Sequence, residues 1–295
     1  MYDIKALYEA CDVKDAIRLL GEHPEAQIIA GGSDVLVQIR EGRRAGKELV
    51  SIYGIDELRG VSMEENGDIR IGALTSFAHI TQSPIISEHI LVLGEAVDKV
   101  GGPQIRAIGT IGGNTCNGVT SADSASTLMA YDAIMEIAGP SGVRRVPIRK
   151  FYLGAKRVDL SHDEVLTAVI IPKESYEGYD GFYIKYGMRN AMEIATTGCS
   201  VNVKLSEDHQ FIEDIRIGFG VAAPVPIRAV NAEKEIKGLP VSPETISRIG
   251  KAVLADVTPR NSWRAAKDFR LHLCQTMAKE AALEAIRRNG GEIDG

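Results

Sequence analysis

The chain has 295 residues, 44% of them hydrophobic and 25% charged, which is ordinary for a globular protein with a large core and excludes disordered and fibrous classes. A chain of this length favours about two domains. Acidic side chains outnumber basic ones by 40 to 34, and the net charge of −6 gives no overall electrostatic footprint for nucleic acid or an anionic membrane. Small molecules and other proteins are therefore the expected partners.

The N-terminal part of the chain is predicted to mix short helices with short strands. In chain order we expect a helix over 12–20, a strand over 27–30, an element over 34–40 that is either strand or helix, and a strand over 48–52. Residues 61–71 alternate between apolar and polar on both sides of Asn66-Gly67. This pattern predicts a β-hairpin with a type I′ turn.

The rest of the chain divides at a polar, turn-rich stretch over 172–180. Before it we expect helices at 76–82, 88–99 and 123–131 and strands at 133–137, 143–146 and 165–171. After it we expect strands near 182–187, 194–205 and 212–221, then helices near 229–237, 243–256 and 262–288. Strands followed by helices favour an α+β second domain. In the final helix, one stripe is predicted to face the core: Ala266, Phe269, Leu273, Met277 and Ala281.

Two glycine pairs are the main functional signal. Gly31-Gly32 follows the apolar run Ile28-Ile29-Ala30, and Gly112-Gly113 follows Thr110-Ile111; both pairs precede small polar residues. Backbone without Cβ atoms can approach a phosphate closely and direct several N–H groups at it. Around the second pair, Thr110, Asn114 and Asp123 add hydroxyl, amide and carboxylate groups suited to phosphate and ribose. The pattern favours a diphosphate between two loops, and hence a dinucleotide cofactor. An ordinary strand-to-helix turn is the alternative for the first pair.

Other sequence motifs are interpreted as structural. The segment Gly218-Phe219-Gly220 fits a relaxed nucleotide fingerprint, but Pro224 and Pro226 impose an extended chain where that fingerprint requires a helix. His162-Asp163-Glu164 lacks the cysteine motif of the zinc deaminases and is expected to be a turn.

The cysteines at 11, 116, 199 and 274 are isolated from one another in sequence. This spacing predicts neither zinc nor an iron–sulfur cluster, and reduced thiols are the default. Neither a signal peptide nor a run of 18 apolar residues occurs in the sequence, so we expect a cytoplasmic protein.

Several motifs, in order, resemble the FAD-binding subunit of the bacterial xanthine dehydrogenase family of molybdenum hydroxylases. They span nearly the whole chain: Ala30 to Leu36, the hairpin with Ile71 to Thr75, Gly102 to Arg106 with Thr110 to Asn114, Phe182 to Arg189, Phe219 to Arg228 and Ser262 to Leu273. The resemblance implies a FAD-binding domain of the PCMH type over 1–175, with subdomains of about 1–55 and 56–175. It implies a C-terminal α+β domain over 176–295 with a three-stranded antiparallel sheet and helices.

The same resemblance implies a set of FAD-binding residues. The first diphosphate segment would be Ile29, Ala30, Gly31, Gly32, Ser33, Asp34, Val35 and Leu36, and the second Thr110, Ile111, Gly112, Gly113 and Asn114. Asp123 would bind the ribose or adenine side and Lys185 would lie near the flavin. Gly101 and Gly102 would let backbone pass close to the ring, and Leu166 would contact the adenine or the ring. Val100 stands where animal relatives have an aromatic residue that stacks on the flavin. Ser33 and Asp34 replace the residues used for covalent attachment elsewhere, so non-covalent FAD is expected.

The family's role is electron transfer rather than substrate oxidation. No catalytic acid–base set, activated nucleophile or metal site is found in the sequence, so the chemistry here would belong to the flavin. The resemblance implies a partner subunit with molybdopterin, a partner with 2Fe-2S centres, a dimer of heterotrimers, and NAD+ or another acceptor. Purine is the expected substrate of the complex. Nicotinate, carbon monoxide and aldehyde dehydrogenases, a self-sufficient flavin oxidase, and an assembly module without cofactor remain alternatives.

Overall fold

The computed structural model describes residues 2–293, which contain three larger β-sheets and one small two-stranded ribbon. The first sheet is parallel, with strand order β1-β3-β2. Asp12 caps the first helix by accepting a hydrogen bond of 2.7 Å from the N–H of Asp15, and the ambiguous element over 34–40 is helical. The elements here are β1 (Ile4–Glu9), α1 (Val13–Glu22), β2 (Gln27–Ile29), α2 (Val35–Arg40) and β3 (Lys47–Ser51).

The second sheet is antiparallel and has five strands in the order β4-β5-β10-β6-β7. Its strands are β4 (Val61–Met63), β5 (Ile69–Gly72), β6 (Ile134–Gly139), β7 (Gly142–Pro147) and β10 (Val165–Ile171). The central strand β10 is buried along its whole length, which explains its unbroken apolar sequence. The small ribbon pairs β8 (Tyr152–Gly154) with β9 (Arg157–Val158).

The hairpin over 61–71 is confirmed, but the predicted turn type is wrong. Gly67 has a φ of +87°, whereas Asn66 is not among the residues with positive φ. A type I′ turn needs positive φ at both central residues. The chain instead forms a longer loop, in which the N–H of Gly67 donates to the carbonyl of Glu64 at 2.9 Å.

Short helices cover one face of the five-stranded sheet. The expected helix over 88–99 is two helices, because Ile90 leaves the helical conformation with φ −139° and ψ 47°. The helices are α3 (Phe77–Gln82), α4 (Pro84–His89), α5 (Leu91–Asp98), α6 (Pro103–Ile108), α7 (Ile111–Cys116), α8 (Asp123–Ala130) and α9 (Ile148–Phe151).

The third sheet has four antiparallel strands in the order β11-β12-β13-β14 rather than the three expected. The additional strand is only two residues long and pairs with Gly218 and Phe219. The strands are β11 (Asp180–Tyr186), β12 (Thr197–Leu205), β13 (Ile212–Gly220) and β14 (Ile227–Arg228). The helices are α10 (Val230–Ile236), α11 (Pro243–Ala252) and α12 (Lys267–Arg288), and single 3₁₀ turns lie at Asp56–Leu58, Lys173–Ser175 and Val253–Ala255. No helix follows β13 directly, so the nucleotide fingerprint at Gly218 is excluded.

The long helix α12 packs on this third sheet, but the predicted apolar stripe is only partly correct. Leu273, Met277 and Ala281 are buried, whereas Ala266 precedes the helix and Phe269 is 42% exposed. Phe269 meets Tyr186 edge to face, with ring centroids 5.7 Å apart. The first turn of α12 therefore packs against the end of β11 at the surface.

Helix α8 joins the two parts of the molecule. All of its residues are buried, and it packs between α5 and the sheet of β12 and β13. A Cβ on Gly218 would lie only 2.0 Å from the carbonyl oxygen of Ser126, so this contact requires glycine. The contact fixes the first residue of α8, Asp123, at the boundary between the N-terminal helices and the third sheet.

Candidate functional site

A cavity of about 1080 Å³ opens between the first sheet, the start of α7 and the start of α8. Its volume lies at the upper end of the roughly 300–1,000 Å³ typical of ligand pockets. The predicted residues that line it are Ala30, Gly31, Gly32, Ser33, Asp34, Val35, Val100, Gly101, Thr110, Gly112, Gly113, Asn114, Asp123 and Leu166. The predicted residues outside its lining are Ile29, Leu36, Gly102, Ile111 and Lys185.

The first glycine segment presents free backbone donors to this cavity. The N–H groups of residues 31–35 have no hydrogen-bond partner among residues 2–293. Gly32 has a φ of +73°, and Ile29 and Leu36 pack beneath it rather than facing the cavity. A run of adjacent, unpaired N–H groups is the backbone arrangement that binds phosphate oxygens.

The second glycine segment is not the loop that the sequence predicted. It is the first turn of α7, and Thr110 caps that turn by accepting a hydrogen bond of 3.1 Å from the N–H of Gly113. The N–H groups of Ile111 and Gly112 donate to the carbonyls of Thr75 and Ala73 at 3.1 and 2.8 Å. The donors left for a ligand in this segment are therefore side-chain groups, chiefly the amide of Asn114, whose Oδ1 accepts from Ser124 at 2.7 Å.

Close backbone packing accounts for the first glycine of each pair. A Cβ on Gly31 would lie 1.8 Å from the carbonyl oxygen of Ile108, and one on Gly112 would lie 2.6 Å from that of Ala73. A larger residue at Gly31 would push the first segment away from the end of α6, and one at Gly112 would push the start of α7 away from the residue after β5. Close packing of backbone therefore fixes the position of each glycine segment.

Asp123 and Lys185 form an ion pair at the edge of the cavity. Lys185 Nζ lies 2.8 Å from Asp123 Oδ2, and the two side chains are only 10% and 8% exposed. Tyr183 donates its hydroxyl to Asp123 Oδ1 at 2.9 Å, and Lys185 also donates to the carbonyl of Lys99 at 2.9 Å. Burial raises the pKa of Asp123, although Lys185 and Tyr183 oppose this effect. Burial also raises the pKa of Tyr183 far above its ordinary value, so it is a neutral donor.

Lys185 therefore lies outside the cavity lining and contacts residues of the cavity wall. Its ammonium holds the carbonyl next to Val100 and Gly101, which do line the cavity. Gly102 does not line the cavity, and a Cβ at this position would lie closest to the side chains of Gln104 and Met192.

Several lining residues were missed by the sequence reasoning. Arg43, Arg44 and Lys47 contribute positive charge, and their clustering between Gly42 and Glu48 is a signal that the sequence contained. The segment Met192–Ile194 comes from the C-terminal part of the chain, and only the fold brings it to the cavity. Cys116 also lines the cavity, and burial raises the pKa of its thiol to about 12, which keeps it neutral.

No set of ligands for a metal ion occurs in residues 2–293, and the cavity holds no nucleophile paired with a base in that part of the chain. Within the same residues, no helix has both the length and the apolar character needed to cross a membrane. The site supplies backbone N–H groups, amides and one buried carboxylate, which are suited to holding a large, anionic, polar cofactor.

Comparison with known proteins identifies the class to which this fold and site belong. Residues 2–174 match the family model "FAD binding domain in molybdopterin dehydrogenase", and residues 182–285 match "CO dehydrogenase flavoprotein C-terminal domain". The chain belongs to this family of FAD-binding oxidoreductase subunits. Among individual relatives, it is 43% identical to the xanthine dehydrogenase FAD-binding subunit of Escherichia coli O157:H7 over 99% of this chain and 100% of that one.

More distant relatives share the architecture. The carbon monoxide dehydrogenase medium chain of Hydrogenophaga pseudoflava is 29% identical over 94% of this chain and 95% of its own length. A solved structure of carbon monoxide dehydrogenase from that organism superposes with a TM-score of 0.91, covering 98% of this chain and 99% of that one at 29% identity. The α+β fold and the FAD-binding role are therefore those of the medium subunits of molybdenum hydroxylases.

Proposed function

We propose that this chain is the electron-transferring FAD subunit of a xanthine (purine) dehydrogenase complex. In that complex a molybdopterin subunit would oxidise the substrate, 2Fe-2S centres on a second partner would carry the electrons, and NAD+ would accept them. The observation that carries the proposal is the 43% identity to a xanthine dehydrogenase FAD-binding subunit over the full length of both chains. We propose a dimer of heterotrimers as the assembly, and a cytoplasmic location, which the free cysteines at 11, 116, 199 and 274 support.

The described residues fit the cofactor, and we propose how they divide its binding. The unpaired N–H groups of residues 31–35 hold diphosphate oxygens. Asn114 and Thr110 add side-chain hydrogen bonds from the opposite wall, and Asp123 accepts from ribose hydroxyls with the lone pairs that Tyr183 and Lys185 leave free. Leu166 and Val100 supply apolar contacts.

Bound FAD supplies the redox chemistry, by taking up electrons and delivering them as a hydride equivalent. The protein's own residues bind and orient the cofactor. Asp123 and Lys185 present opposite charges in a nearly dry setting, so they place a fixed field beside the cavity without opening it to water. Cys116 adds a neutral thiol to the cavity wall. We propose no covalent link, because Ser33 and Asp34 provide neither histidine nor cysteine.

The test is purification of the assembled complex and assay with xanthine and NAD+. We expect NADH formation from the complex and none from the isolated yellow chain. A colourless chain, or an isolated chain that oxidises xanthine alone, would contradict the proposal. Carbon monoxide, nicotinate and an aldehyde serve as competing substrates, and a preference for one of these would assign the complex elsewhere.

Glycine variants test the site itself. Gly32→Val places a β-branched residue at a φ of +73°, and Gly113→Val places a Cβ 2.9 Å from the Thr110 hydroxyl. Both variants should lose FAD, measured as visible absorbance per chain. Gly154→Val is the matched control, because nothing lies within 4 Å of its added Cβ. Full FAD retention in the first two variants would show that the segments are misassigned.

A further inference from the structure

Arg270 is a buried cation without an anion. It is 2% exposed and sits in the first turn of α12. Its guanidinium donates to the carbonyl of Thr196 and, at 2.8 Å, to the hydroxyl of Ser262, while its Nε has no partner. It makes no ion pair with a carboxylate in residues 2–293, although buried charges are normally paired.

Two more arginines add to this positive charge. Burial lowers the pKa of Arg270, and the charges of Arg260 and Arg264 lower it further. Neither of them pairs with a carboxylate in the described part of the chain, and Arg264 Nε is also buried without a partner. These three arginines, the arginine cluster, lie at or just before the positive end of the 22-residue helix α12 and have no carboxylate partner in the described residues.

Exposed apolar side chains surround this arginine cluster. Trp263 is 76% exposed and lies under the Arg264 guanidinium, 4.2 Å from its ring centroid. Phe269 and Tyr186 are 42% and 41% exposed and contact each other, and Met188, two residues after Tyr186 in the chain, is 61% exposed. Exposed aromatic and methionine side chains with arginine are typical of the cores of protein interfaces. The surroundings therefore indicate a protein rather than a free ion.

The cluster is continuous with the cavity wall. Arg270 holds the carbonyl of Thr196, and the N–H of Thr196 donates to the carbonyl of Tyr186 at 2.8 Å. These bonds close the base of the segment 187–195, whose residues Met192–Ile194 line the cavity. A protein bound at the cluster would thus stand beside the cavity that we assign to FAD.

We propose that Arg260 and Arg264, with Trp263 and Phe269, form the docking surface on which the 2Fe-2S partner subunit places an acidic side chain, and that the buried Arg270 adds positive charge beneath it. The carboxylate supplies the anion that the arginine cluster lacks, and the aromatic rings supply the apolar contact area. This inference rests on the proposed function, because the partner is assigned from the place of the surface beside the cavity that we assign to FAD.

The test compares two double charge reversals in the full-length, FAD-loaded chain. Arg260→Glu with Arg264→Glu changes the docking surface, and Lys234→Glu with Lys251→Glu makes the same change of net charge at exposed lysines elsewhere. Binding to the purified 2Fe-2S subunit is measured by biolayer interferometry at low and high salt. We expect the arginine variant to bind at least about ten-fold more weakly with a flatter salt dependence, and the lysine variant to bind like wild type.

Equal affinity of both variants and wild type would overturn the docking surface. Thermal melting with inorganic phosphate at constant ionic strength gives a second test. If phosphate stabilises wild type but not the arginine variant, and both bind the partner equally, the cluster binds a free anion and the docking surface is refuted. The absorbance spectrum separates this result from failure of the proposed function. A colourless wild-type chain refutes the FAD assignment, whereas a yellow arginine variant with wild-type partner binding refutes only the docking surface.

Discussion

Removing the cation that faces Asp123 is the sharpest test of the site's electrostatics. Lys185→Met leaves a carboxylate that is 8% exposed with only Tyr183 as a partner. At 2.8 Å and an effective dielectric constant of about 20, the attraction lost is about 6 kcal/mol. Proton uptake by Asp123 limits this loss of stability, because protonating a carboxyl group with an unfolded pKa of about 3.9 costs about 4 kcal/mol at pH 7. We therefore expect Lys185→Met to lose about 3–4 kcal/mol of unfolding free energy at pH 7.

The pH dependence of this loss has a definite sign. In the variant, the folded-state pKa of Asp123 lies above its unfolded value, so the folded protein holds the proton more tightly and its stability falls as pH rises between the two values. The deficit relative to wild type should shrink by about 1.4 kcal/mol per pH unit on acidification, to about 1 kcal/mol or less at pH 5. Asp123→Asn combined with Lys185→Met should be less destabilised than Lys185→Met alone at pH 7 and should show no such slope.

Urea unfolding of the FAD-saturated protein at pH 5 to 8 measures these differences. Lys204→Met is the control, because its ion pair with Glu213 is 36% and 54% exposed and should contribute less than about 1 kcal/mol. A Lys185→Met deficit below about 1 kcal/mol at pH 7, or one that does not change with pH, would refute the assignment of a buried, charged pair.

Three further predictions concern the cavity. Gly31→Ala should abolish FAD retention and lower the melting temperature, because its methyl group would lie 1.8 Å from a backbone carbonyl oxygen. Gly21→Ala is the control: nothing lies within 4 Å of the added Cβ, so the variant should retain FAD and gain about 0.5–1 kcal/mol of stability. Asn114→Ala should weaken FAD binding on the order of ten-fold, measured by equilibrium dialysis, with a change in melting temperature too small to account for it. Iodoacetamide at pH 8 should alkylate the exposed Cys11 in the FAD-loaded protein faster than the half-buried Cys116, whose thiol has a pKa of about 12; equal labelling would contradict the raised pKa of Cys116.

The sequence predicted the elements whose signal is local. The periodicity of 12–20, the alternation of 61–71 and the apolar run 165–171 each gave the correct element, because one turn of helix or one strand decides which side chains are buried. It did not predict that Asn66 lacks a positive φ, since the loop length is set by the register in which β4 pairs with β5.

The candidate site was predictable in its residue types but not in its contacts. Glycine pairs and polar neighbours indicated a cofactor, whereas the segment Met192–Ile194 reaches the cavity from a distant part of the chain with no local signal. Helical structure at Ile111–Cys116 was missed, because two glycines in six residues give low helix propensity. Tertiary contact compensates, since the carbonyls of Thr75 and Ala73 accept the first N–H groups of that helix.

This difference makes the two glycine pairs unequal. The first pair leaves its N–H groups unpaired and open to the cavity, whereas the N–H groups of the second are used within the protein. A substitution near the first pair should therefore remove phosphate contacts directly. A substitution at Gly112 should weaken the site indirectly, because a Cβ 2.6 Å from the Ala73 carbonyl oxygen would displace α7 and move Asn114 with it. The second pair is thus part of the scaffold that sets the width of the cavity.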